Sequence, residues 1–479
     1  MSARGAAAAI ALGLFCMSGS LRAGAEEVTL TFIWHAGDRA ELLRKISEQY
    51  TRETGVKVAA ILPPMNEQWH DRIAEEFVKK GSAFDLCIFD SQSMAEFASQ
   101  GHVARLNDLL AKSQTLRADT FDPAALRRYA EYPEGSGNIY ALPINQDSMG
   151  LVYRRDLFES PEERAGFRQR YGYELGVPET YDQLRAVAEF FTRPKEQLYG
   201  LALYGSEAYD AASSAFDNVF WSFGAELWDP RSGRVEGYVN SPAAKKALAF
   251  FKQLFTYAPP GGSEWYVREV NEAVEKGRVA MAFQWYYFFD ELARATAGSD
   301  LRLGFATLPG AKDERGLLRR FVQVGGQGVS INRYSRHQNE AWRFLEWFLR
   351  EKQQWKWVEG GGKTGLARVL NDPRFLHSGV ASDSFSRSMS VTKDYWHLAE
   401  YPALLRVYQK AIHDAVAGRA SPDQALDRCA REQEGILRAG QAARERHASK
   451  HRRQPVKHPG GGEPHRPVQE SSAACRRMS

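Results

Sequence analysis

Residues 138–158 read NIYALPINQDSMGLVYRRDLF, and this run decides the fold. It predicts two short apolar strands separated by a polar cluster, Asn145, Gln146, Asp147 and Ser148. Because a buried strand normally stays hydrophobic, a polar break at this place needs a reason. Ligands of α/β proteins lie at the carboxyl ends of strands, so these side chains indicate the wall of a pocket or an interdomain crossing.

The first 25 residues have the pattern of a secretory signal peptide. Arg4 is followed by an apolar run, Ala6 to Phe15, and Ala23-Gly24-Ala25 forms an A-x-A cleavage signature. The apolar run is shorter than the roughly 20 residues that a membrane-spanning helix needs. We therefore expect an exported, periplasmic protein whose signal peptide is cleaved near Ala25.

The net charge of +4 comes from the C-terminal end of the 479-residue chain. Residues 441–479 are rich in Lys, Arg, His, Pro and Gly, a composition that predicts a disordered basic tail. The remaining body is mildly acidic, which argues against a nucleic-acid-binding surface. The spacing of the four cysteines and of the tail histidines fits no defined metal site. We expect neither a metal nor a cofactor.

The body alternates strands and helices and is too long for one core. Strands are predicted over 28–34, 56–62 and 85–89, with helices over 38–54 and 67–80 between them. This alternation predicts a parallel, doubly wound sheet. Single cores stop growing at about 250–300 residues, so the body is expected to form two lobes.

The run 138–158 resembles the first hinge crossing of the extracellular solute-binding proteins (family 1) of carbohydrate ABC transporters, including its Tyr-x-x-Asp-Leu-Phe exit at Tyr153–Phe158. Residues 84–90, 279–285 and 321–331 are similar to three further strands of that family, in the same order. The resemblance implies an α/β, two-lobed periplasmic-binding-protein fold with doubly wound sheets and an interdomain hinge.

The resemblance also implies that the lobes exchange strands. Between the signal peptide (1–25) and the tail (441–479), the N-terminal lobe would comprise 26–145 and 310–352, and the C-terminal lobe 146–309 and 353–440. Residues 160–179 are an insertion relative to the shorter members of the family. This insertion leaves the identity of the sugar open.

A sugar site needs aromatic rings against the apolar faces of the sugar, and carboxylates or amides at its hydroxyl edges. By resemblance, Asp147 is the carboxylate of the first crossing, Asp90 and Gln92 form the polar edge of the first lobe, and Trp285 is a stacking platform. The full set of candidate ligand contacts is Trp34, Asp90, Gln92, Asn145, Asp147, Trp221, Trp285, Gln327 and Trp396. Each tryptophan could instead belong to the core, and Asp147 could cap a turn into Gly150.

These features predict a monomeric receptor that binds a small carbohydrate between two lobes and delivers it to the permease subunits of an ABC importer. Two alternatives stay open. The same fold could bind a polyamine or an osmolyte, because an aromatic cage also recognises cations. An exported glycoside hydrolase would use paired carboxylates, but the sequence contains none of the common hydrolase motifs. We expect no enzymatic activity and no nucleic-acid partner.

Overall fold

The structure, a computed structural model, describes residues 28–65 and 67–452. Its strands are β1 Thr29–Ile33, β2 Lys57–Ile61, β3 Leu86–Asp90, β4 Leu142–Arg154, β5 Tyr199–Ala202, β6 Val279–Trp285, β7 Leu303–Ala306, β8 Ala311–Lys312, β9 Leu318–Arg319, β10 Val322–Ile331 and β11 Thr392–Lys393. The predicted signal peptide lies outside the described residues.

The helices cover more of the chain than the strands. They are α1 Asp38–Thr54, α2 Glu67–Val78, α3 Met94–Ser99, α4 Asn107–Lys112, α5 Pro123–Ala130, α6 Arg155–Glu159, α7 Pro161–Tyr171, α8 Tyr181–Phe191, α9 Ala211–Ser222, α10 Pro242–Leu254, α11 Val267–Glu275, α12 Phe289–Ala295, α13 Gln338–Phe348, α14 Glu351–Glu359, α15 Ala367–Leu370, α16 Ser382–Met389, α17 Tyr401–Val416 and α18 Pro422–Arg452. Among them, none is long and apolar enough to cross a membrane.

One curled sheet of nine strands runs through the molecule in the order β2-β1-β3-β10-β4-β6-β5, with β11 beside β10 and β7 beside β4. β1 is parallel to β2 and β3, and β5 is parallel to β6, as the alternation of strands and helices predicts. The prediction of an entirely parallel sheet is wrong for β4 and β10. β10 runs antiparallel to β3 and to β4, and β4 runs antiparallel to β6, because the chain crosses from one lobe to the other in β4 and crosses back in β10.

β4 is a single strand of 13 residues, not the two short strands that the polar break predicted. Its polar residues stay in the ladder because β10 pairs with them from Leu142 to Ser148. Their side chains also find partners: Gln146 Nε2 donates to the carbonyl of Thr364 at 2.7 Å. A polar segment can therefore remain extended and buried, since its hydrogen-bonding groups are satisfied.

The sheet divides into two lobes at β4 and β10. We call β1, β2 and β3 with the adjoining ends of β4 and β10 the first lobe, and β5, β6 and β7 with the opposite ends the second lobe. Gln327–Ile331 of β10 pair with β3, whereas Met149–Tyr153 of β4 pair with β6. The two crossing strands thus join the lobes.

Contacts on either side of the crossing differ from the predicted lobe boundaries. Residues 310–323 pack on the second lobe: the amide of Tyr181 donates to Gly310, and the amide of Gln323 donates to Asn218. In the other direction, α14 packs against α1 of the first lobe. Segments near both predicted boundaries thus contact the other lobe, and the boundaries at 310 and 353 stay predictions.

Local sequence explains several element ends. α1 stops at Gly55, which adopts a φ of +79° and whose amide donates to Thr51 at 2.9 Å. Inside the predicted insertion, α7 begins after Ser160, whose hydroxyl accepts from the amide of Glu163. Phe167 of α7 is fully buried, so the insertion is anchored to the second lobe by its own apolar side chain.

The last helix enters the segment that was predicted to be a disordered tail. α18 continues to Arg452, and Arg444 forms an ion pair with Glu400 of the body. Residues 441–452 contain mostly Ala, Arg, Glu, Gln and Lys, which are residue types that favour helices. The rest of the predicted tail, 453–479, lies outside the described residues.

Candidate functional site

A small cavity lies between the two lobes at the crossing strands. Its wall comes from the first lobe (His35, Met65, Trp69, Asp90, Gln92), from the crossing strands (Asp147, Val324, Gly325, Gly326, Gln327) and from the second lobe (Tyr209, Asp210, Tyr266, Val267, Trp285, Tyr287, Phe288). The first-lobe and second-lobe residues end or follow strands β1, β2, β3, β5 and β6, or lie at the start of α2 and of α11, the helix before β6. The site therefore occupies the carboxyl edge of the sheet, where α/β proteins bind ligands.

The cavity measures about 60 Å³, against roughly 300–1,000 Å³ for a typical ligand pocket. Two wider grooves of about 890 and 1030 Å³ are each lined by residues of a single lobe. A further groove of about 1030 Å³ is lined by α5, Trp228 and residues of the segment 392–397 and contains none of the residues that line the small cavity. The small cavity combines carboxylates, amides and aromatic rings from both sides. We identify it as the candidate site.

Asp147 lies in the middle of β4 with its carboxylate held by two backbone amides. Oδ1 accepts from the amide of Ser148 at 2.9 Å and from the amide of Tyr287 at 3.1 Å. Burial raises the pKa of Asp147 to about 7, although the nearby Lys363 and Arg39 act in the opposite direction. Because β4 runs straight through Gly150, Asp147 caps no turn there.

Asp90 ends β3 and is the centre of a hydrogen-bond chain that joins the lobes. The hydroxyl of Tyr209 donates to its Oδ2 at 2.6 Å, and Gln327 Nε2 donates to its Oδ1 at 2.8 Å. Asn145 Nδ2 in turn donates to Gln327 Oε1 at 3.3 Å, and Asn145 Oδ1 accepts from the amide of Lys363. Burial raises the pKa of Asp90.

Asp210 supplies a third carboxylate to the wall. It accepts the hydroxyl of Tyr266 at 2.6 Å, and burial raises its pKa to about 7. The sequence did not single out Asp210 or Tyr209, because the short strand β5 that precedes their loop was not predicted. An apolar run at 199–202 between two helices was the signal that could have found them.

His35 and Trp69 form the first-lobe side of the wall. His35 Nδ1 lies 3.0 Å from the carbonyl of Ala36, so this nitrogen carries the proton and Nε2 is free to accept. Burial lowers the pKa of His35 to about 4, which keeps the ring neutral. Trp69 is only 2% exposed, and its indole N–H has no hydrogen-bond partner among the described residues. An unsatisfied donor facing a cavity can serve a ligand.

Trp285 ends β6 and lies against the glycine pair of β10. A Cβ at Gly325 would be 2.7 Å from Cζ3 of the indole, so the glycine allows the ring to approach the strand. Gly326 has a φ of +98°, and a Cβ there would be 2.4 Å from the carbonyl oxygen of Asn145. Both glycines are thus required for the close approach of neighbouring groups to β10.

Buried charges lie behind Asp147 and connect α1 to α12 across the lobes. Asp290 Oδ2 is 3.5 Å from Arg39 Nη2 and 3.7 Å from Lys363 Nζ. Burial lowers the pKa of Lys363. We call Arg39, Asp290 and Lys363 the ion cluster. It holds the two lobes together beside the cavity, and Tyr287 connects it to the cavity wall, because Arg39 also donates to the carbonyl of Tyr287.

Five of the nine residues predicted to contact a ligand line the cavity: Asp90, Gln92, Asp147, Trp285 and Gln327. The structure places the other four in the interior. Asn145 belongs to the hydrogen-bond chain, Trp34 packs against Trp357, Trp221 is buried in α9, and Trp396 packs against Tyr395 and Tyr408. We therefore retain only the first five as candidate contacts from the original set.

Comparison with known proteins identifies the family. Residues 36–355 of the chain match the sequence pattern of the bacterial extracellular solute-binding protein family. The chain belongs to this family. The mannitol-binding protein of Pseudomonas aeruginosa is 27% identical to this solute-binding protein over 281 residues, which are 58% of this chain and 57% of the relative.

Solved structures of solute-binding proteins share the fold. A ribitol complex from Agrobacterium radiobacter K84 has a TM-score of 0.73 and 24% identity, covering 85% of this chain and 98% of its own. A maltose-bound protein of T. maritima also has a TM-score of 0.73, with 22% identity and coverage of 85% and 100%. The predicted two-lobed periplasmic-binding-protein fold is thereby confirmed. The family consists of binding proteins.

Proposed function

We propose that this protein is the substrate-binding receptor of an ABC importer, which encloses a sugar between its lobes and delivers it to the membrane permease. One observation carries the proposal: the cavity at the crossing strands combines Asp90 and Asp147 with Trp285 and Tyr209, drawn from both lobes. Carboxylates accept sugar hydroxyls, and aromatic rings cover the apolar faces of a sugar. The mannitol, ribitol and maltose named for its relatives support this class of ligand.

The receptor works by closing its lobes. In the arrangement described, Arg294 of α12 forms an ion pair with Asp38 of α1 at 2.7 Å, and Tyr209 contacts Asp90 across the cavity. A cavity of about 60 Å³ has room for roughly two waters, so a sugar enters only when the lobes separate. Binding then shifts the population toward the closed form, because the ligand contacts both lobes only there.

The remaining parts of the proposal follow the family. The protein is exported to the periplasm after cleavage near Ala25, acts as a monomer, binds permease subunits of the importer and catalyses no reaction. Membership of a family of extracellular proteins supports the location. The A-x-A signature supports the cleavage site.

A second candidate is a receptor for a cationic solute such as a polyamine. It is favoured by the three carboxylates of Asp90, Asp147 and Asp210 among aromatic rings, since both groups attract cations. Arg39 and Lys363 behind Asp147 offset part of this negative charge. We therefore rank the sugar first.

A thermal-shift screen of sugars, sugar alcohols and polyamines tests the proposal, followed by small-angle scattering with the best ligand. We expect a saturating sugar to raise Tm and to reduce the radius of gyration, while tryptophan fluorescence changes because cavity indoles lose water. The sugar should be recovered chemically unchanged. Stabilisation by polyamines alone would favour the second candidate. Turnover of a glycoside would show that the protein is a hydrolase and not a receptor.

A further inference from the structure

The side of the cavity formed by Tyr209 is closed by a direct contact between the lobes. Tyr209 belongs to the second-lobe loop after β5 and has a φ of +46°, which is uncommon for a bulky residue. Its hydroxyl donates to Asp90 Oδ2 at 2.6 Å, and Gln327 occupies the other oxygen. We call the Tyr209–Asp90 contact the bridge. A ligand inside the cavity meets the phenol ring instead of an open groove.

The residue next to the bridge makes a further contact with the segment after β11. Ser91, the residue after Asp90, donates its hydroxyl to Asp394 at 2.8 Å. Trp396, two residues after Asp394, is fully buried and stacks on Tyr395 with ring centroids 6.2 Å apart. The ring that could have carried a second sugar unit on this side thus belongs to the core.

The polar groups of the wall also define the charge of the ligand. Asp90, Asp147 and Asp210 are acceptors when ionised, and neutral His35 offers Nε2 as a further acceptor. Among the described residues, the wall contains neither lysine nor arginine. An anionic ligand would be repelled by these carboxylates. A ligand with many hydroxyl donors satisfies them, and one of its oxygens can accept the unpaired N–H of Trp69.

We propose that the site holds a single, uncharged carbohydrate unit, a monosaccharide or a sugar alcohol, and that the ring of Tyr209 sets this length when the lobes close again around the ligand. This inference rests on the proposed function, because it specifies the sugar that the receptor binds. Tyr209 is the residue that determines specificity. Its ring lies on one side of the cavity and limits how far a ligand can extend there.

A length and charge series measured by calorimetry tests the inference on the full mature chain. The probes are D-mannitol, ribitol, D-glucose, maltose, maltotriose and D-gluconate. We expect at least one of the first three to bind about tenfold or more tightly than maltose and maltotriose, a difference of roughly 1.4 kcal/mol. Gluconate should bind more weakly than D-glucose. The length limit would be overturned if maltose or maltotriose bound as tightly as the best single unit. The inference of an uncharged ligand would be overturned if gluconate bound more tightly than D-glucose.

Two variants test Tyr209 itself. Tyr209→Ala removes the ring and should reduce the preference for single units below about tenfold, because the cleft then extends past Asp90. Tyr209→Phe is the matched control, since it keeps the ring and removes only the hydroxyl donor, and should keep the preference. An unchanged preference in Tyr209→Ala would refute the role of Tyr209. The wild-type series tests the length limit independently of how either variant folds.

The series also separates the two levels of the argument. If only longer sugars bind, the protein is still a sugar receptor and the single-unit inference is wrong. If the sugars tested, of every length, leave Tm and the calorimetric signal unchanged, the proposed function itself fails.

Discussion

Replacing Asp147 by asparagine changes the ligand-facing chemistry of the site while keeping its backbone contacts. Oδ1 of Asp147 accepts from the amides of Ser148 at 2.9 Å and Tyr287 at 3.1 Å, and an asparagine carbonyl oxygen can accept both. The second oxygen becomes an amide NH₂, which donates instead of accepting. We therefore expect Asp147→Asn to fold normally and to bind the sugar more weakly.

The expected loss of sugar affinity follows from the charge of the Asp147 carboxylate, which would accept a hydrogen bond from the sugar. A hydrogen bond to a charged group contributes about 1.5–3 kcal/mol, so the Kd should rise by roughly 10- to 150-fold. Burial raises the pKa of Asp147 to about 7, so the carboxylate is largely ionised at pH 8 and largely protonated at pH 6. The difference between wild type and variant should consequently be larger at pH 8.

Calorimetry at pH 6 and pH 8 with the best sugar from the screen measures both effects. Asp217→Asn is the matched control: Asp217 is a fully buried carboxylate that accepts from Tyr408, and it lies outside the cavity wall. It should alter stability without altering the Kd. An unchanged Kd for Asp147→Asn at pH 8 would refute the role of Asp147 as a ligand acceptor.

Three further predictions concern the platform, the titration of the site and the ion cluster. Trp285→Ala should weaken sugar binding by about 1–3 kcal/mol in calorimetry through lost contact with the ring, and unchanged affinity would place the platform elsewhere. Burial raises the pKa of Asp147 and Asp210 from 3.8 to about 7, so between these two pH values the folded state retains protons that the unfolded state has released. In urea unfolding without ligand, the free energy of unfolding should fall by up to about 1.4 kcal/mol per pH unit per group as pH rises from about 4.5 to 7 and should level off by about pH 8, and the double variant Asp147→Asn/Asp210→Asn should flatten this slope. Asp290→Asn leaves two buried cations without their carboxylate and should lower the free energy of unfolding, measured in urea, by about 3–5 kcal/mol. Arg294→Gln, which breaks the exposed pair with Asp38, should lower it by less than about 1 kcal/mol. Equal effects of the two variants would show that the ion cluster contributes no more to stability than an exposed ion pair.

The amino-acid sequence by itself determined the local elements. The amphipathic pattern of 38–54 with Gly55 behind it predicted α1 with its observed bounds, and the apolar run ending at Trp285 predicted β6. Such features depend on residues close together in the chain, which is why periodicity and turn residues reveal them. The order of the similar strands along the chain was also sufficient to indicate the family.

Charge and composition were a weaker guide at the ends of elements. Residues 441–452 looked like part of a disordered tail, yet α18 runs through them. A polar segment can stay helical when its residues favour helices and the helix is already anchored by packing further along. Composition averaged over 39 residues could not locate that boundary.

Only the tertiary structure decided which polar and aromatic residues meet in the cavity. Trp34 and Trp285 both follow apolar runs, but Trp34 packs against Trp357 and Trp285 faces the site. The polar run at 145–148 stayed extended because β10, 180 residues later in the chain, supplies its partners. Tyr209 reaches Asp90 across the two lobes in the same way. Local sequence cannot specify such pairings, since each depends on how distant strands align.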